Sequence, residues 1–256
     1  MKSDSVVIIP TYNEKENIRA IINAVLELTE HQFDVLIVDD NSPDGTGAIV
    51  DSMIAERPDR INILKRAGKQ GLGTAYIAGF KWALDHGYEY VIEMDADFSH
   101  PVDKLPELQR TCATGGAHVS VGSRYLTGVN VVNWPMGRML MSYFASAYVR
   151  LVTGMQVRDA TAGYVCYRRE VLQSINLEAI EFKGYAFQIE MKFTAYRMGF
   201  VIKEVPIVFV NRVLGTSKMN SSIFFEALWG VIKLRLDSIF NKQRFVRQPL
   251  PKQITA

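Results

Sequence analysis

The stretch Val91-Ile92-Glu93-Met94-Asp95-Ala96-Asp97 is a largely apolar, strand-like run that ends in two carboxylates one residue apart. In an extended strand, side chains two positions apart point to the same side, so this spacing predicts that Asp95 and Asp97 converge. Carboxylate oxygens are the ligands that hard divalent cations such as Mg²⁺ prefer. The alternative for an isolated pair of this kind is a solvated acidic turn, and the surrounding sequence decides between the two.

Segments typical of strands and helices alternate around this stretch. We predict buried strands at residues 5–10, 33–38, 61–64 and 90–94, with helices at 13–28, 45–56 and 73–85 and a later strand at 117–122. Asn13 is the predicted cap of the first helix. Alternation of this kind is typical of an α/β fold with a mostly parallel sheet and helices on both faces.

Polar clusters follow three of the predicted strands: residues 10–14, residues 39–42 and the pair Asp95 and Asp97. Asp, Asn, Ser and Pro are common in turns, so each cluster alone has a structural explanation. In parallel sheets, however, ligands bind at the carboxyl ends of the strands. The sequence therefore predicts that the three clusters form one site.

A glycine-rich run, Gly68-Lys69-Gln70-Gly71-Leu72-Gly73-Thr74, lies between the third strand and the next helix. It lacks the Gly-Lys-Ser/Thr ending of a Walker loop and does not follow the first strand. Two interpretations remain open. Its amides could face a ligand at the helix start, or the glycines could simply form a tight turn.

The composition indicates an ordinary globular protein: 256 residues, of which 48% are hydrophobic, with a net charge of +2. No long run of Lys or Arg occurs in the body of the chain, which argues against nucleic acid as a partner. Cys112 and Cys166 show no metal-binding spacing, so we expect buried, reduced thiols and a cytoplasmic protein. The apolar run at the N-terminus is too short for a signal peptide, and no run of about 18 apolar residues suggests a membrane-spanning helix.

Two segments, residues 138–153 and 221–240, are apolar around most of a helical circumference. Each could be a core helix or could lie in a membrane surface. The basic residues that follow the second segment, among them Arg244 and Arg247, could add about 1 kcal/mol per charge at an anionic bilayer. Together these features favour interfacial amphipathic helices and two regions, a catalytic domain at 1–220 and a C-terminal helix with a basic tail at 221–256.

Several motifs closely resemble those of the family 2 glycosyltransferases with the GT-A fold, and among them the dolichol- or polyprenol-phosphate mannose synthases. The resemblance covers about residues 5–220. The motifs are Ile9–Glu14, Val38–Thr46, Gly71–Tyr76, Met94–Pro101, Gly122–Tyr125, Lys183–Met191 and Pro206–Phe209, followed by Arg212 and Lys218.

The resemblance implies a role for each matched position. Nucleotide-sugar contacts are implied for Pro10, Tyr12, Glu14, Val38, Asp40, Asp95, Ala96, Asp97, Arg124, Arg212 and Lys218. Asp97, Arg212 and Lys218 would be the catalytic residues, because the leaving diphosphate gains charge that they or a bound cation stabilise. Asp95 and Asp97 would bind Mg²⁺ or Mn²⁺, and Arg124, Arg138 and Ser142 would bind the acceptor phosphate. Ser99 departs from relatives that have an amide there, so a third metal ligand from this position is not expected.

The implied reaction is a single inverting displacement that moves mannose from GDP-mannose to a polyprenyl or dolichyl monophosphate and releases GDP. A lipid phosphate is already ionised at neutral pH, so this reaction needs no general base. The implied setting is peripheral, on the cytoplasmic face of a membrane, with a membrane-anchoring protein as a further partner. The alternatives are transfer from UDP-glucose or another nucleotide sugar, a nucleotidyltransferase or nucleotide-binding regulator, and a membrane-associated nucleotide-binding scaffold.

Three other polar residues have two interpretations each. Asp159 could orient groups on the acceptor side or cap a loop. His100 could approach the metal, although a role in stabilising the turn is favoured. Glu190 could line the acceptor site, or it could cap and pair within the fold.

Overall fold

The computed structural model describes residues 3–184, 186–211 and 221–248, and in the last of these segments the side chains from Leu228 onward. The strands are β1 Ser5–Thr11, β2 Asp34–Asp39, β3 Ile61–Lys65, β4 Tyr90–Glu93, β5 Val119–Ser123, β6 Val131–Val132, β7 Val165–Arg168, β8 Ile202–Pro206 and β9 Phe209–Val210. The α-helices are α1 Ile18–Leu26, α2 Thr46–Glu56, α3 Leu72–Asp85, α4 Leu105–Ala113, α5 Met136–Thr153, α6 Arg169–Ser174, α7 Ala186–Arg197 and α8 Ser221–Phe240.

Seven strands form one mixed sheet in the order β3-β2-β1-β4-β7-β5-β8. The strand β7 is antiparallel to both of its neighbours, and every other pairing in this sheet is parallel. Strands β6 and β9 form a separate parallel pair. The predicted α/β architecture of the GT-A type, with its mostly parallel sheet, is confirmed.

The sheet is buried on both faces, as parallel sheets require. Side chains of β1 alternate between two core clusters, Val6 and Ile8 in one and Val7 and Ile9 in the other. The first cluster includes residues of α3 and α7, and the second includes residues of α1, α2 and α4. The register places Thr11 beside Asp39 and Ile8 beside Glu93, which brings the carboxyl ends of β1, β2 and β4 together.

The first helix begins later than predicted. Asn13 has a φ of 58°, in the left-handed region, and lies in a turn rather than at a helix cap. The carbonyl of Glu14 accepts the N–H groups of Asn17 and Ile18, and α1 starts at Ile18 with Asn17 before it. The polar residues 13–17 therefore form a connection at the sheet edge, where short polar side chains favour turns over helix.

A third layer consists of α5, α7 and α8, which share a small core that includes Val149, Phe193 and Val231. Most of α5 lies at the surface: Phe144 is 62% exposed and Leu151 85% exposed. A fully buried position is therefore the wrong interpretation for this helix. Within the described ranges, no helix is both long and apolar enough to span a bilayer.

The segment after α8 packs against the protein. Arg244 is almost buried and pairs with Glu190, Glu181 and Asp237. The guanidinium of Arg247 lies 4.0 Å from the centre of the Phe200 ring. The expectation that Arg244 would contribute to a lipid-facing basic tail is wrong, because its charge is already compensated inside the fold. Residues 249–256 of the predicted tail lie outside the described residues.

Candidate active site

The two carboxylates that follow β4 lie in a turn. The strand ends at Glu93, so the side-chain alternation that predicted convergence of Asp95 and Asp97 does not extend to them. Asp97 is almost buried and accepts the N–H of Ser99 at 3.0 Å, while Phe98 between them has a φ of 59°. Asp95 lines a cavity beside the sheet edge. The turn therefore places both carboxylates at the end of β4 by a different geometry from the predicted one.

His100 stabilises this turn. Its Nδ1 accepts the backbone N–H of Asp95 at 3.1 Å, and its ring stacks on Tyr164 with centroids 4.8 Å apart. Burial lowers the pKa of His100, which favours the neutral ring that this hydrogen bond requires. The favoured interpretation of His100, support of the turn, agrees with this geometry.

The end of β2 contributes an ion pair that the sequence interpretation missed. Asp40 lies 3.0 Å from the guanidinium of Arg66, and both side chains are about nine-tenths buried. Burial raises the pKa of Asp40, and Arg66 opposes that rise. Arg66 also donates to Thr74 at 2.7 Å, so it joins the end of β2 to the glycine-rich run. An Arg two positions after the predicted strand 61–64 was the available signal.

The other predicted nucleotide residues surround this pair on neighbouring strands. Pro10 lies opposite Val38 in the ladder, and the Val38 side chain is fully buried in the core, which leaves its backbone for any ligand contact. The Tyr12 ring lies 5.4 Å from the Nζ of Lys69. The backbone N–H of Glu14 donates to Thr46. Lys69 is thus a second cation at this edge that was not among the predicted residues.

We expect Arg66→Met to weaken GDP binding about tenfold, because loss of a positioning partner in an outer shell costs about 10- to 100-fold. The physical reason is that Asp40 would lose its charge partner and Thr74 its donor. Isothermal titration with GDP and Mn²⁺ measures the effect. Arg60→Met is the matched control, since Arg60 pairs with Asp34 at the other end of β2. Equal GDP affinities for Arg66→Met and the unmodified protein would contradict the role of Arg66 as a positioning partner of Asp40.

The glycine-rich run is a tight turn braced by the protein itself. Gly71 has a φ of 107°, and the N–H of Gly73 donates to the carbonyl of Lys183 at 2.8 Å. A Cβ on Gly73 would lie 2.7 Å from the Phe187 ring. The amide of Gly73 therefore does not face a ligand, and the turn interpretation holds at this residue.

Arg124 is held in place by Asp159 in the loop that precedes β7. Asp159 is fully buried and accepts the Nε, the NH2 and the backbone N–H of Arg124 at 2.6–2.9 Å. Thr161 accepts from the same guanidinium at 2.9 Å. Rings of Trp134 and Phe209 lie 5.5 and 5.7 Å from its central carbon. Asp159 thus orients a residue predicted to bind the acceptor.

Arg138 and Ser142 lie close to Arg124, on α5. The central carbon of the Arg138 guanidinium lies 4.1 Å from the Trp134 ring centre, and its NH1 donates to Asn211 at 3.0 Å. Ser142 accepts from the hydroxyl of Tyr125 at 2.8 Å. Two cations therefore lie against one indole ring, and the Ser142 hydroxyl lines the same cavity, an arrangement suited to a phosphate group.

These groups line a cavity of about 430 Å³ whose remaining walls are mainly apolar. It extends from Asp95, Ser99 and His100 at the sheet edge to Arg124, Arg138 and Ser142, and then to Met141, Phe144, Tyr148, Leu228 and Val231 on α5 and α8. The cavity thus brings a carboxylate, two cations and apolar side chains of α5 and α8 to one space.

The fold also buries an acid on β4 and a base on α7 that sequence reasoning missed. Glu93 and Lys192 are both fully buried. Burial raises the pKa of Glu93 to about 8 and lowers the pKa of Lys192 to about 8, and each group opposes the other's shift. Lys192 also donates to the carbonyl of Ala162 at 2.6 Å. Helix α7 is buried on almost every side, so the sequence pattern does not show which residues its polar side chains contact.

The donor atoms at the end of β4 suit a hard cation. The carboxylates of Asp95 and Asp97 supply oxygen, the ligand type of Mg²⁺ and Mn²⁺. Across the described ranges, no cluster of three or more His, Cys, Asp or Glu side chains is arranged to hold a metal. A cation here would therefore complete its shell with diphosphate and water. The predicted catalytic residues Arg212 and Lys218 lie outside the described residues.

The chain is similar in sequence to known glycosyltransferases. Residues 6–175 match the model of glycosyl transferase family 2. The chain is 47% identical over 238 residues to the polyprenol monophosphomannose synthase of Mycolicibacterium smegmatis, covering 91% of this chain and 89% of that protein. It is 46% identical over 226 residues to the undecaprenyl-phosphate mannosyltransferase of Micrococcus luteus, covering 88% and 91%.

Two solved structures share the fold at low identity. Glucosyl-3-phosphoglycerate synthase from Mycobacterium tuberculosis, in complex with Mn²⁺, UDP and glucosyl-3-phosphoglycerate, has a TM-score of 0.65 at 18% identity, covering 98% of this chain and 82% of that one. A mannosyltransferase from Pyrobaculum calidifontis, in complex with GDP-Man and Mn²⁺, has a TM-score of 0.57 at 17% identity, covering 94% and 65%.

Proposed function

The chain belongs to glycosyl transferase family 2, and from this premise we propose that it transfers mannose from GDP-mannose to a polyprenyl (dolichyl-type) monophosphate and releases GDP. The names of two relatives above 45% identity, one a polyprenol monophosphomannose synthase and the other an undecaprenyl-phosphate mannosyltransferase, support this reaction. The donor is the finer part of the proposal, and a mannosyltransferase of the same fold in complex with GDP-Man supports it.

The observation that carries the proposal is the cavity between the carboxylate turn and α5 and α8. Arg124 and Arg138 line it beside the Trp134 ring, and apolar side chains of α5 and α8 form much of the rest of its wall. A lipid monophosphate has the complementary form, because its charged head needs cations and its chain needs an apolar channel. A soluble sugar acceptor would leave the apolar wall without a role.

Arg124, Arg138 and Ser142 would hold the phosphate of the acceptor so that one oxygen faces the anomeric carbon. That oxygen attacks, the bond from the anomeric carbon to the diphosphate breaks on the opposite side, and the configuration inverts. The phosphate is already an anion, so the step depends on alignment and needs no base. Asp159 supports the step by fixing the Arg124 guanidinium in one orientation.

Asp95 and Asp97 would hold Mg²⁺ or Mn²⁺, which when bound neutralises the charge that develops on the departing diphosphate. Mn²⁺ accompanies the nucleotide in both solved structures of this fold described above. Arg212 and Lys218 remain proposed as further cations for that diphosphate. Pro10, Tyr12, Glu14, Val38 and Asp40 remain the proposed nucleotide contacts.

The same proposal places the protein at a membrane surface, on the cytoplasmic face. The helices α5 and α8 expose large apolar side chains, among them Phe144, Leu151, Trp229 and Phe240, as interfacial helices do. The two cysteines are free and buried, which suits a reducing compartment. A membrane-anchoring protein is a second candidate partner for this surface, and residues 221–256 are the proposed membrane-associated region.

We expect Phe240→Ser to weaken binding to anionic lipid vesicles about tenfold. Burial of a phenylalanine side chain in the bilayer contributes roughly 1.5–3 kcal/mol to the binding free energy, and serine does not supply this contribution. Phe240 is 81% exposed and packs little within the protein, so folding should be unaffected. Vesicle co-sedimentation measures the partition. Val201→Ser, an exposed apolar residue before β8, is the matched control. Unchanged partition of Phe240→Ser would argue for the protein partner instead.

Transfer of radiolabel into the organic phase tests the reaction. Purified protein would be incubated with polyprenyl phosphate, detergent, Mg²⁺ and labelled GDP-mannose or, in parallel, UDP-glucose. Lipid-soluble mannose supports the proposal. Label from UDP-glucose alone favours the alternative transferase, and nucleotide binding without any transfer favours the nucleotide-binding scaffold.

A further inference from the structure

Glu190 is a fully buried carboxylate on α7 that makes no contact with the cavity described above. Its oxygens accept the backbone N–H groups of Glu181 at 3.1 Å and of Phe182 at 2.9 Å. It also pairs with Arg244 from the segment after α8. We call residues 179–184 the strap. The carboxylate therefore fixes the backbone of the strap from within, and the acceptor-lining interpretation of Glu190 is not supported.

The strap lies against the glycine-rich run. Its Lys183 carbonyl accepts the N–H of Gly73 at 2.8 Å. The approach leaves no room for side chains, because a Cβ on Gly71 would lie 3.0 Å from Lys183 and a Cβ on Gly73 would lie 2.9 Å from the Phe182 carbonyl. A shift of the strap would therefore move the start of α3.

The start of α3 in turn supports the ion pair at the end of β2. The Thr74 hydroxyl donates to the Gly71 carbonyl and accepts from Arg66, both at 2.7 Å. Arg66 pairs with Asp40 at 3.0 Å. Continuous contacts thus lead from Glu190, through the strap and the glycine-rich run, to the side chain proposed to contact the nucleotide.

We propose that Glu190 is a positioning residue for the nucleotide pocket, acting through the strap and the glycine-rich run on Arg66 and Asp40. This inference rests on the proposed function in one respect, the assignment of Asp40 to the nucleotide. Arg244 is a second residue that holds the strap. It donates to the Ala179 carbonyl at 3.0 Å and to Glu181, so it ties the segment after α8 to the same strap.

A second carboxylate in the fold provides a matched comparison. Glu204 on β8 accepts the backbone N–H groups of Arg158 and Asp159 at 2.8 and 2.9 Å. The local chemistry is the same as at Glu190, with one carboxylate holding two successive amides. The loop that Glu204 holds, however, leads through Asp159 to Arg124, on the acceptor side.

The test compares Glu190→Gln with Glu204→Gln. The amide keeps the shape of each side chain, but its NH₂ group cannot accept a hydrogen bond. At Glu204 it replaces one of the two accepting oxygens. At Glu190 it faces either the strap N–H groups or the guanidinium of Arg244, so one of these two contacts is lost. For Glu190→Gln we expect the Kd for GDP with Mn²⁺ and the KM for GDP-mannose to rise about tenfold, the lower end of the range for outer-shell partners. The KM for polyprenyl phosphate should stay within about twofold. Glu204→Gln should show the reverse pattern, a raised acceptor KM with an unchanged Kd for GDP.

A purely structural role would lower the melting temperature and the active fraction without separating the two KM values. An unchanged Kd for GDP in folded Glu190→Gln, or equal shifts in both KM values, would overturn the inference. If Glu190→Gln does not fold, Glu190→Asp replaces it, since the shorter carboxylate keeps the charge that pairs with Arg244 but withdraws from the N–H groups of Glu181 and Phe182 that donate to it. A raised Kd for GDP in that variant supports the inference, and an unchanged Kd overturns it.

The binding measurement also separates this inference from the proposed reaction. Unmodified protein that binds GDP but transfers no mannose would overturn the reaction, and the effect of Glu190→Gln on the Kd for GDP would still decide the inference. Unmodified protein that binds neither GDP nor UDP would overturn both.

Discussion

Replacement of Asp97 by Asn is expected to lower the kcat of mannosyl transfer about 1,000-fold, the upper range for removal of one preorganised group that stabilises transition-state charge. Asp97 lies in the turn after β4, almost buried, with one oxygen accepting the N–H of Ser99. An Asn oxygen can accept the same hydrogen bond, so the turn should persist. The substitution removes the negative charge, and with it the affinity for a divalent cation beside the diphosphate. Transfer of radiolabelled mannose to polyprenyl phosphate measures the loss.

The control for Asp97→Asn is Asp51→Asn, because Asp51 is an exposed residue of α2 that pairs with Lys65 at the surface. It carries the same change in charge and should leave turnover unchanged. Titration with Mn²⁺ in the presence of GDP provides a second measurement. A folded Asp97→Asn protein with undiminished turnover, or with undiminished Mn²⁺ affinity, would contradict the role of the carboxylate pair.

Replacement of Arg138 by Met is expected to raise the KM for polyprenyl phosphate up to about 100-fold, because a hydrogen bond to a charged group contributes about 1.5–3 kcal/mol. Arg138 packs over Trp134 at the centre of the cavity, next to the guanidinium of Arg124. Met keeps an unbranched apolar stem over the indole and removes only the cation. Since the proposed nucleotide contacts lie at the ends of β1 and β2, the KM for GDP-mannose should be unaffected.

Arg150→Met provides the matched control for this prediction. Arg150 is an exposed residue in the last turn of the same helix, α5, and does not line the cavity. Its substitution should leave both KM values unchanged. Steady-state kinetics with each substrate varied in turn distinguishes the outcomes. A rise in the KM for GDP-mannose that matches the rise for the acceptor would contradict the placement of Arg138 on the acceptor side.

The sequence was most informative where the signal is local. Alternating apolar segments predicted β1 to β4 and the helices between them, because burial on both faces of a parallel sheet imposes near-continuous apolar strands. The predicted start of α1 was less accurate. Asn13 is a residue type that favours helix caps, but its backbone is left-handed and it lies in a turn before the helix. The turn at Asp95 and Asp97 shows the same limit. Strand β4 ends at Glu93, so the two carboxylates lie in a turn and not on one side of a strand, as their spacing had predicted.

The sequence by itself determined the fold class, and it supplied Asp95, Asp97, Arg124 and Arg138 as the candidate site residues. Only the tertiary structure decided which charged side chains contact one another. Arg66 joins Asp40, Asp159 orients Arg124, Glu190 holds the strap, and Arg244 packs inward although its position in a basic tail suggested lipid. The physical reason is that a strand or helix follows from neighbours a few positions apart, whereas these contacts join residues 8 to 54 positions apart through close packing that no local pattern encodes.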